Sequence, residues 1–294
     1  MIDGVLVVDK PRDLTSHDVV AAARRMLGER RIGHTGTLDP LATGVLPLAC
    51  GRATRLVRFL TASDKDYDAT IRFGFTTDSY DVTGIETARS VLRPDADAVT
   101  RALAALTGSY LQMPPAFSAK KVDGRRAYAM ARDAMPVQLT PAPVTVARAE
   151  LLDLTDDIAR VRLTCSAGFY VRTFAHSLGE LVQTGACLED LRRTRSGDFS
   201  IDEAIDLETL ARGTETATAA IIPLDRLLPR YPAVALTDES RNRVSHGQEV
   251  DGRLIDGAER GAEWVRLTDS AGHLVALARP GSRPGSLHPA VVLI

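Results

Sequence analysis

The sequence predicts a chain that mixes helices with strands and ends in a small β-rich unit. Apolar and polar residues alternate from Tyr67 to Phe73 and again from Val161 to Cys165, which is the period of a strand with one buried face. An apolar stripe with helical spacing follows Ser16, which we predict to be the helix N-cap. Short apolar stretches between residues 234 and 278, separated by glycine-containing turns, predict the β-rich unit.

The same patterns predict the remaining elements. Short apolar runs at residues 5–8 and 45–49 indicate buried strands. Helical spacing indicates one helix over residues 97–107, a short one near 127–132, and another that begins close to Tyr170. The apolar face of that last helix is predicted to be Phe174, Leu178, Leu181 and Val182. Small and polar residues from 211 to 220 predict a weakly ordered connection.

Composition places the chain among globular proteins. Its 294 residues, 45% hydrophobic and 25% charged, suffice for a large core without disulfides or metals. The three cysteines are widely spaced and form no zinc-like cluster, so we expect no metal site. No apolar run approaches about 18 residues and no signal-peptide pattern is seen, so we expect a cytoplasmic protein that does not enter a membrane.

Positive charge is gathered in three segments, although the net charge is only −2. These segments are residues 24–31, 120–132 and 192–195, whereas acidic residues concentrate between Asp64 and Asp97. Basic segments of this kind could follow the phosphate backbone of a nucleic acid, or they could be solvated faces of helices. Charge alone leaves both interpretations open.

A loop is predicted over residues 32–44, because glycines and a proline punctuate the sequence GHTGTLDPLATG that ends it. Pro40 disfavours helical angles at Asp39, and the glycines allow tight turns or the close approach of a ligand. An Asp-Pro turn without function would have the same composition. The lysine of a phosphate-binding loop and the serine of a GxSxG elbow are absent, so the loop presents a carboxylate of unassigned chemistry.

Twelve successive residues of this loop, from Gly33 to Gly44, resemble the signature motif of the TruB family of tRNA pseudouridine synthases. Four further segments resemble that family in the same order, and they are Lys10-Pro11, Asp64-Lys65-Asp66-Tyr67, Gly168-Phe169-Tyr170-Val171-Arg172-Thr173 and Leu191-Arg192-Arg193. Asp13 and Ala167 depart from the glycine and the lysine that are usual there, and we expect neither to abolish activity. The resemblance covers residues 1 to about 200.

The resemblance implies an α+β protein with the pseudouridine synthase fold, in which a mixed, largely antiparallel sheet carries flanking helices and a central cleft. It implies a catalytic domain over residues 1–222, where residues 118–140 would form an insertion that grips the T arm of tRNA. Residues 231–294 would form a small β-rich, PUA-like C-terminal domain, for which the resemblance is looser.

The same resemblance implies an isomerase, an intramolecular transferase that converts uridine-55 in the T loop of tRNA to pseudouridine. The base is flipped out of its stack, the bond from ribose C1′ to uracil N1 breaks, and the base is rejoined through C5. This reaction needs no redox change and no net hydration, so no cofactor and no metal are expected. We expect a monomer that acts on tRNA without an obligate protein partner.

Asp39 is implied as the catalytic group, and Arg172 as the partner that orients the carboxylate and keeps it charged. Burial can raise the pKa of an aspartate by up to ~3–5 units, whereas a nearby arginine lowers it by ~1–3 units. The two effects are therefore expected to offset each other at Asp39. Lys10 is expected to support the site rather than to act as a base.

Four further residues are implied to hold the substrate. Tyr67 would stack on the uracil and is a candidate for removing the C5 proton, while Tyr170 and Leu191 would line the pocket. His34 would support the RNA loop after the uridine has left its stack. Core packing explains Tyr67, Tyr170 and Leu191 almost as well, and a lone histidine in a glycine-rich loop is ordinarily solvated or capping.

Three other functions remain open at this point. An N-glycosidase would release the base and would need a second carboxyl group, for which the acidic stretch offers five candidates: Asp64, Asp66, Asp68, Asp78 and Asp81. A non-catalytic assistant of tRNA folding would work without Asp39. A guide-RNA-directed relative in a multi-protein particle fits less well, because the chain is short and lacks a lysine-rich tail. The mass of treated tRNA separates the first from an isomerase, since isomerisation leaves it unchanged.

Overall fold

The computed structural model describes residues 2–117, 121–122, 125–126, 139–251 and 262–294, and most of its strands belong to two sheets. The strands in chain order are β1 (Gly4–Lys10), β2 (Ile32–His34), β3 (Thr43–Cys50), β4 (Lys65–Phe73), β5 (Phe75–Thr77), β6 (Glu86–Arg89), β7 (Gly108–Gln112), β8 (Lys121–Val122), β9 (Arg125–Arg126), β10 (Ala142–Thr155), β11 (Ile158–Cys165), β12 (Ala186–Ser196), β13 (Phe199–Ser200), β14 (Ile221–Pro223), β15 (Ala233–Ala235), β16 (Val250–Asp251), β17 (Val265–Thr268), β18 (Leu274–Pro280) and β19 (Ser286–Val292). The helices are α1 (Ser16–Leu27), α2 (Val57–Thr61), α3 (Ala96–Ala105), α4 (Val171–Leu181), α5 (Leu207–Ala211), α6 (Thr214–Ala219) and α7 (Asp238–Ser245). Short 3-10 turns span Gly51–Leu56, Ile201–Glu203 and Leu224–Arg226.

The larger sheet has ten strands in the order β14-β1-β3-β12-β4-β11-β10-β7, with β2 paired to β3 and β13 to β12. Neighbouring strands in this order are antiparallel except β3 and β12. Those two run parallel where Thr43 lies beside Arg192 and Gly44 beside Arg193. The mixed, largely antiparallel sheet is as expected, and this one parallel contact joins the end of the 33–44 loop to the 191–193 segment.

Helices α1, α3 and α4 bury one face of the larger sheet. Their apolar side chains share a core with Tyr67, Ala69, Ile71 and Phe73 of β4. The alternation predicted for β4 is confirmed, because these side chains are buried and the residues between them are partly exposed. On the exposed face, Asp68 forms an ion pair with Arg162 at 3.0 Å, so the charged residues there are matched across strands.

Helix boundaries agree with the sequence at α4 and differ by one residue at α1. Helix α4 begins directly after Tyr170, as predicted. The N-cap of α1 is Thr15 rather than Ser16, because the Thr15 hydroxyl accepts from the amide of Asp18 while the Asp18 carboxylate accepts from the amide of Thr15. Along α4, Leu181 is 52% exposed, so its assignment to the apolar face was wrong.

Two predicted loops contain regular structure. Residues 32–34 form β2 and pair with β3, which itself starts at Thr43, so the loop is shorter than predicted. The connection predicted over residues 211–220 contains α6, whose Ala217 is fully buried in the core. Small side chains in this segment permit close packing, although a composition of small and polar residues is also typical of a weakly ordered connection. The helix predicted near residues 127–132 and most of the 118–140 segment lie outside the described residues.

The second sheet has five strands in the order β15-β17-β18-β19-β16 and forms the predicted β-rich unit. Its own core includes Val244 of α7. It rests on the face of β1 and β3 that α1 does not cover, where apolar residues of both units form one cluster. The contact includes the Phe59 and Trp264 rings, whose centroids lie 4.7 Å apart at nearly right angles.

Gly44 lies where β3 starts beside β12, and its conformation is tightly restricted. Its φ of +99° lies in the region that favours glycine. An added Cβ would collide with the carbonyl oxygen of Arg193 and would lie 2.9 Å from its backbone nitrogen. Gly33, in the same motif, has nothing within 4 Å of an added Cβ.

We therefore expect Gly44→Ala to lower the free energy of unfolding by at least about 2 kcal/mol, through backbone strain and overpacking. Gly33→Ala is the matched control and should change that free energy by less than about 1 kcal/mol. Denaturant unfolding of both variants measures the difference. Equal stability of the two variants would contradict the close approach of β3 to β12.

Candidate active site

The backbone on both sides of Asp39 is held by hydrogen bonds to other parts of the chain. The Ser16 hydroxyl bonds both the amide and the carbonyl of Leu38, at 2.9 and 3.0 Å. The carbonyl of Pro40 accepts from the amide of Asp13 at 2.8 Å and from Lys10 Nζ at 3.3 Å. The carboxylate therefore projects from a fixed loop rather than a free turn.

Asp39 is paired with a buried arginine. Arg172 Nε lies 2.9 Å from Asp39 Oδ2, and the Arg172 side chain is only 7% exposed whereas that of Asp39 is 37% exposed. Arg172 is the second residue of α4, whose N-cap is Tyr170. The two residues that the sequence pairs are thus in contact, and part of the carboxylate is open to a ligand.

Three other acceptors surround the Arg172 guanidinium. Nη1 donates to the carbonyl of Ser79 at 3.3 Å and lies 3.6 Å from Asp81 Oδ2, while Nη2 donates to the carbonyl of Phe117 at 2.9 Å. The Asp81 side chain is buried, and its Oδ1 accepts from Ser79 Oγ and from the amide and hydroxyl of Thr83. Every nitrogen of Arg172 is therefore engaged, which fixes the group that faces Asp39.

The environment of Asp39 shifts its protonation. Desolvation raises the pKa of Asp39 above its ordinary value of 3.8. The positive charge of Arg172 opposes this shift, and the negative charge of Asp81 adds to it. The offset expected from the sequence is thus present but incomplete.

Tyr67 and Leu191 contribute to the apolar side of the site. Tyr67 lies on β4 between Leu163 of β11 and Arg193 of β12, and it is buried with Leu191 in the same core as Leu38. Burial raises the pKa of Tyr67, and the nearby Arg193 opposes the rise. Tyr67 is therefore a neutral phenol at neutral pH.

Tyr170 is fixed through its backbone. Its amide donates to Oε1 of the buried Gln112 at 2.8 Å, and its carbonyl accepts from Gln112 Nε2 at 3.0 Å. This paired contact docks the start of α4 on the end of β7. The Tyr170 residue itself is partly exposed.

His34 lies at the end of β2, beside helix α1. Its ring is half-buried and packs edge-on against the ring of His17, with centroids 5.4 Å apart. His34 and Asp39 both belong to the motif segment from Gly33 to Gly44.

Two buried cations lie under the motif loop. Lys10 is fully buried and donates to the carbonyls of Pro11, Leu14 and Pro40. Arg193 is 1% exposed and donates to the carbonyls of Val45 and Gly36 at 2.7 and 3.1 Å. Both support the loop through its backbone, which agrees with the supporting role expected for Lys10.

Sequence reasoning missed Asp81, Gln112 and Arg193 as parts of this site. Asp81 was considered only as one candidate for the second carboxyl group of a glycosidase, and Gln112 carried no pattern. Arg193 was counted in the basic segment 192–195 that could follow a phosphate backbone, but its side chain is buried and donates to the backbone of the loop. Among the described residues, no three His, Cys, Asp or Glu side chains are grouped closely enough to hold a metal ion. None of the helices described is long and apolar enough to cross a membrane.

Two family models together match residues 24–229, and related proteins match nearly the whole chain. The model of the TruB family pseudouridylate synthase N-terminal domain matches residues 24–171, and that of the tRNA pseudouridylate synthase B C-terminal domain matches residues 172–229. The tRNA pseudouridine synthase B of Solibacter usitatus (strain Ellin6076) is 41% identical over 295 residues, which cover 99% of this chain and all of the relative. The enzyme of the same name from Aromatoleum aromaticum (strain DSM 19018 / LMG 30748 / EbN1) is 45% identical over 268 residues, 91% of this chain and 85% of the relative.

Solved structures of more distant proteins have the same fold. An H/ACA ribonucleoprotein bound to a substrate RNA containing 2′-deoxyuridine aligns with a TM-score of 0.76 and 25% identity, over 99% of this chain and 85% of that chain. An archaeal box H/ACA ribonucleoprotein complex aligns with a TM-score of 0.73 and 26% identity, over 99% and 86%.

The fold is that of the pseudouridine synthases, with a C-terminal β-sheet that is consistent with a PUA-like domain. Within that class, the chain belongs to the TruB family. The resemblance seen in the sequence is thereby confirmed. The domain limits at residues 222 and 231 stay a prediction.

Burial lowers the pKa of Lys10 from its ordinary 10.5 to about 8. Between those pH values Lys10 is protonated in the unfolded chain but not in the native state. The contribution of Lys10 to the free energy of unfolding therefore increases as the pH rises. We expect the stability of the wild type relative to Lys10→Met to increase from pH 8 to 10.5. Denaturant unfolding at several pH values measures this.

Arg101→Met is the control for that series, because Arg101 is exposed on α3 and arginine keeps its proton throughout this range. Its stability difference from the wild type should not depend on pH. A constant difference for Lys10→Met as well would contradict the burial of a protonated Lys10.

Proposed function

We propose that this protein isomerises uridine-55 in the T loop of tRNA to pseudouridine. The observation that carries the proposal is the partly exposed Asp39 carboxylate, which lies 2.9 Å from the buried Arg172. The residue before it, Leu38, packs in the same buried core as Tyr67. Relatives that are 41% and 45% identical are named tRNA pseudouridine synthase B. A tRNA substrate and a pseudouridine product follow from these together.

The reaction conserves all atoms of the uridine. The C1′–N1 bond breaks, the uracil turns within the pocket, and C5 bonds to C1′ while the C5 proton is lost and N1 gains one. Asp39 supplies the negative charge that meets the reacting uridine, and Arg172 fixes the direction of that carboxylate. The step that Asp39 performs is electrostatic or nucleophilic catalysis by one oriented group.

The flipped uracil would lie against the apolar side of the site. Tyr67 and Leu191 belong to the buried wall, and we propose that Tyr67 stacks on the base. Because burial raises the pKa of Tyr67 and keeps its phenol protonated, its oxygen can accept the C5 proton only as its own proton passes to another group. Tyr170, held by Gln112, would line the pocket, and His34 would support the opened RNA loop. Flipping costs a few kcal/mol, which stacking in the pocket offsets in part.

An N-glycosidase is disfavoured by the state of Asp81, the second carboxylate paired with Arg172. Asp81 is buried, its Oδ1 accepts three hydrogen bonds and its Oδ2 faces Arg172, so it is not placed to protonate or attack a substrate. We propose that the protein works as a monomer on the T arm, in the cytoplasm, without a guide RNA or an obligate protein partner.

Asp39→Asn should abolish release of tritium from a T-arm hairpin that carries [5-³H]uridine at the target position, because the amide has neither the charge nor the nucleophile. The wild type should release tritium and leave the mass of unlabelled RNA unchanged. Asp68→Asn, on the exposed face of β4, is the control and should keep the wild-type rate. Full turnover by Asp39→Asn, or loss of the base from the RNA, would refute the proposal.

The raised pKa of Asp39 predicts how the rate depends on pH. Since the ionised carboxylate is the active form, the single-turnover rate should fall in acid with a midpoint above 3.8. Arg172→Met should move this midpoint to higher pH, because the charge that opposes protonation is gone. Tritium release against pH measures both. A midpoint that moved downward would show that Arg172 does not stabilise the ionised form.

A further inference from the structure

Two aromatic rings stack beside the Arg172 network without touching Asp39. Tyr80 and His176 lie nearly parallel, with centroids 4.0 Å apart and an angle of 11° between their planes. His176 is on α4, one helical turn after Arg172, so both side chains leave the same face of that helix. Tyr80 lies between Ser79 and Asp81, the two residues that provide acceptors for Arg172 Nη1.

The backbone of Tyr80 is strained. Its φ of +63° is in the left-handed region, which side chains with a Cβ rarely adopt and which is a genuine outlier for a bulky residue. Such a conformation persists only when surrounding contacts impose it. The backbone on either side is tied to β12, since Leu188 donates its amide to the Tyr80 carbonyl and accepts from the amide of Val82.

Burial of His176 costs free energy because one ring nitrogen has no hydrogen-bond partner in the described part of the chain, and stacking on Tyr80 offsets part of that cost. Its Nδ1 is buried and has no hydrogen-bond partner among the described residues. Burial lowers the pKa of His176, with Glu180 opposing, so the ring is neutral at neutral pH and does not repel Arg172. A strained tyrosine and a histidine with an unpaired nitrogen thus meet at one contact.

We propose that the stacked rings of Tyr80 and His176 are a positioning device, which clamps residues 79–81 onto α4 and thereby holds the acceptors that orient Arg172. The role in catalysis rests on the proposed function, and it is indirect, because neither ring is in the Asp39–Arg172 contact. The stack fixes the side of the 79–81 segment that β12 does not hold. Loss of the stack would let the Arg172 guanidinium move, and the Asp39 carboxylate that it orients would move with it.

Tyr80→Gly removes the ring and also relieves the strained backbone, whereas Tyr80→Phe keeps the ring. His176→Ala and His176→Phe form the corresponding pair on α4. We expect the single-turnover rate of tritium release from the T-arm hairpin to fall about tenfold in Tyr80→Gly and His176→Ala, because small misplacement of a catalytic group is costly. The Phe variants should stay within about twofold of the wild type, and the Kd for the hairpin should be unchanged in all four.

A second measurement does not depend on RNA. The Asp39 carboxyl carbon is titrated by ¹³C NMR in each variant, with Asp39→Asn used to assign its signal. A loosened Arg172 should raise the pKa of Asp39 in Tyr80→Gly and His176→Ala but not in the Phe variants. Thermal unfolding confirms that each variant is folded.

The outcomes separate this inference from the proposed function. A wild type that releases no tritium would remove the proposed function, while the Asp39 titration would still test the clamp. Wild-type rates and an unchanged Asp39 pKa in Tyr80→Gly and His176→Ala would overturn the clamp. So would equal losses in the Phe variants, or losses confined to the Kd, since these would indicate direct contact with the RNA.

Discussion

The buried guanidinium of Arg172 is the constraint around which the site is arranged. A cation with 7% exposure is stable only if its donors are all engaged, and here two carboxylates and two carbonyls surround it. One of those carboxylates, Asp39, is also the group left open to a ligand. The remaining acceptors come from the 79–81 segment and from Phe117, so three separate parts of the chain must meet before Asp39 is oriented.

The other buried cations are stabilised by hydrogen bonds to backbone carbonyls. Lys10, Lys65 and Arg193 lie in the interior without a carboxylate partner among the described ion pairs, and each donates to main-chain oxygens. For Lys10 and Arg193 these oxygens belong to the motif loop or its neighbours. The loop is thus fixed by charged hydrogen bonds to its backbone, and Arg172 is the cation that contacts the Asp39 carboxylate directly.

The sequence predicted the parts of this architecture that depend on local pattern. The alternation of β4 and the start of α4 follow from periods of two and 3.6, and short apolar stretches indicated β15, β17 and β18 of the small sheet but not β16 or β19. The motif resemblance paired Asp39 with Arg172, and the two are in contact. Asp81 and Gln112 escaped because their partners, Arg172 and Tyr170, are distant in the chain. At α1, capping depends on the residue three positions on, which selects Thr15 over the adjacent Ser16. In α6, burial of Ala217 overrides a composition typical of a loop.

Strands β1 and β3 carry the site on one surface and the second sheet on the other. Lys10 and Gly44 pair where β1 ends and β3 begins, and Lys10 donates to the carbonyl of Pro40 next to Asp39. Val5, Val7 and Val45 belong to the apolar cluster shared with Leu277 and Leu293. Removal of the carboxyl-terminal unit would expose the apolar residues on that face of β1 and β3 to solvent. The unit therefore supports the strands that lead into and out of the motif loop, and both sheets are expected to unfold in one cooperative transition.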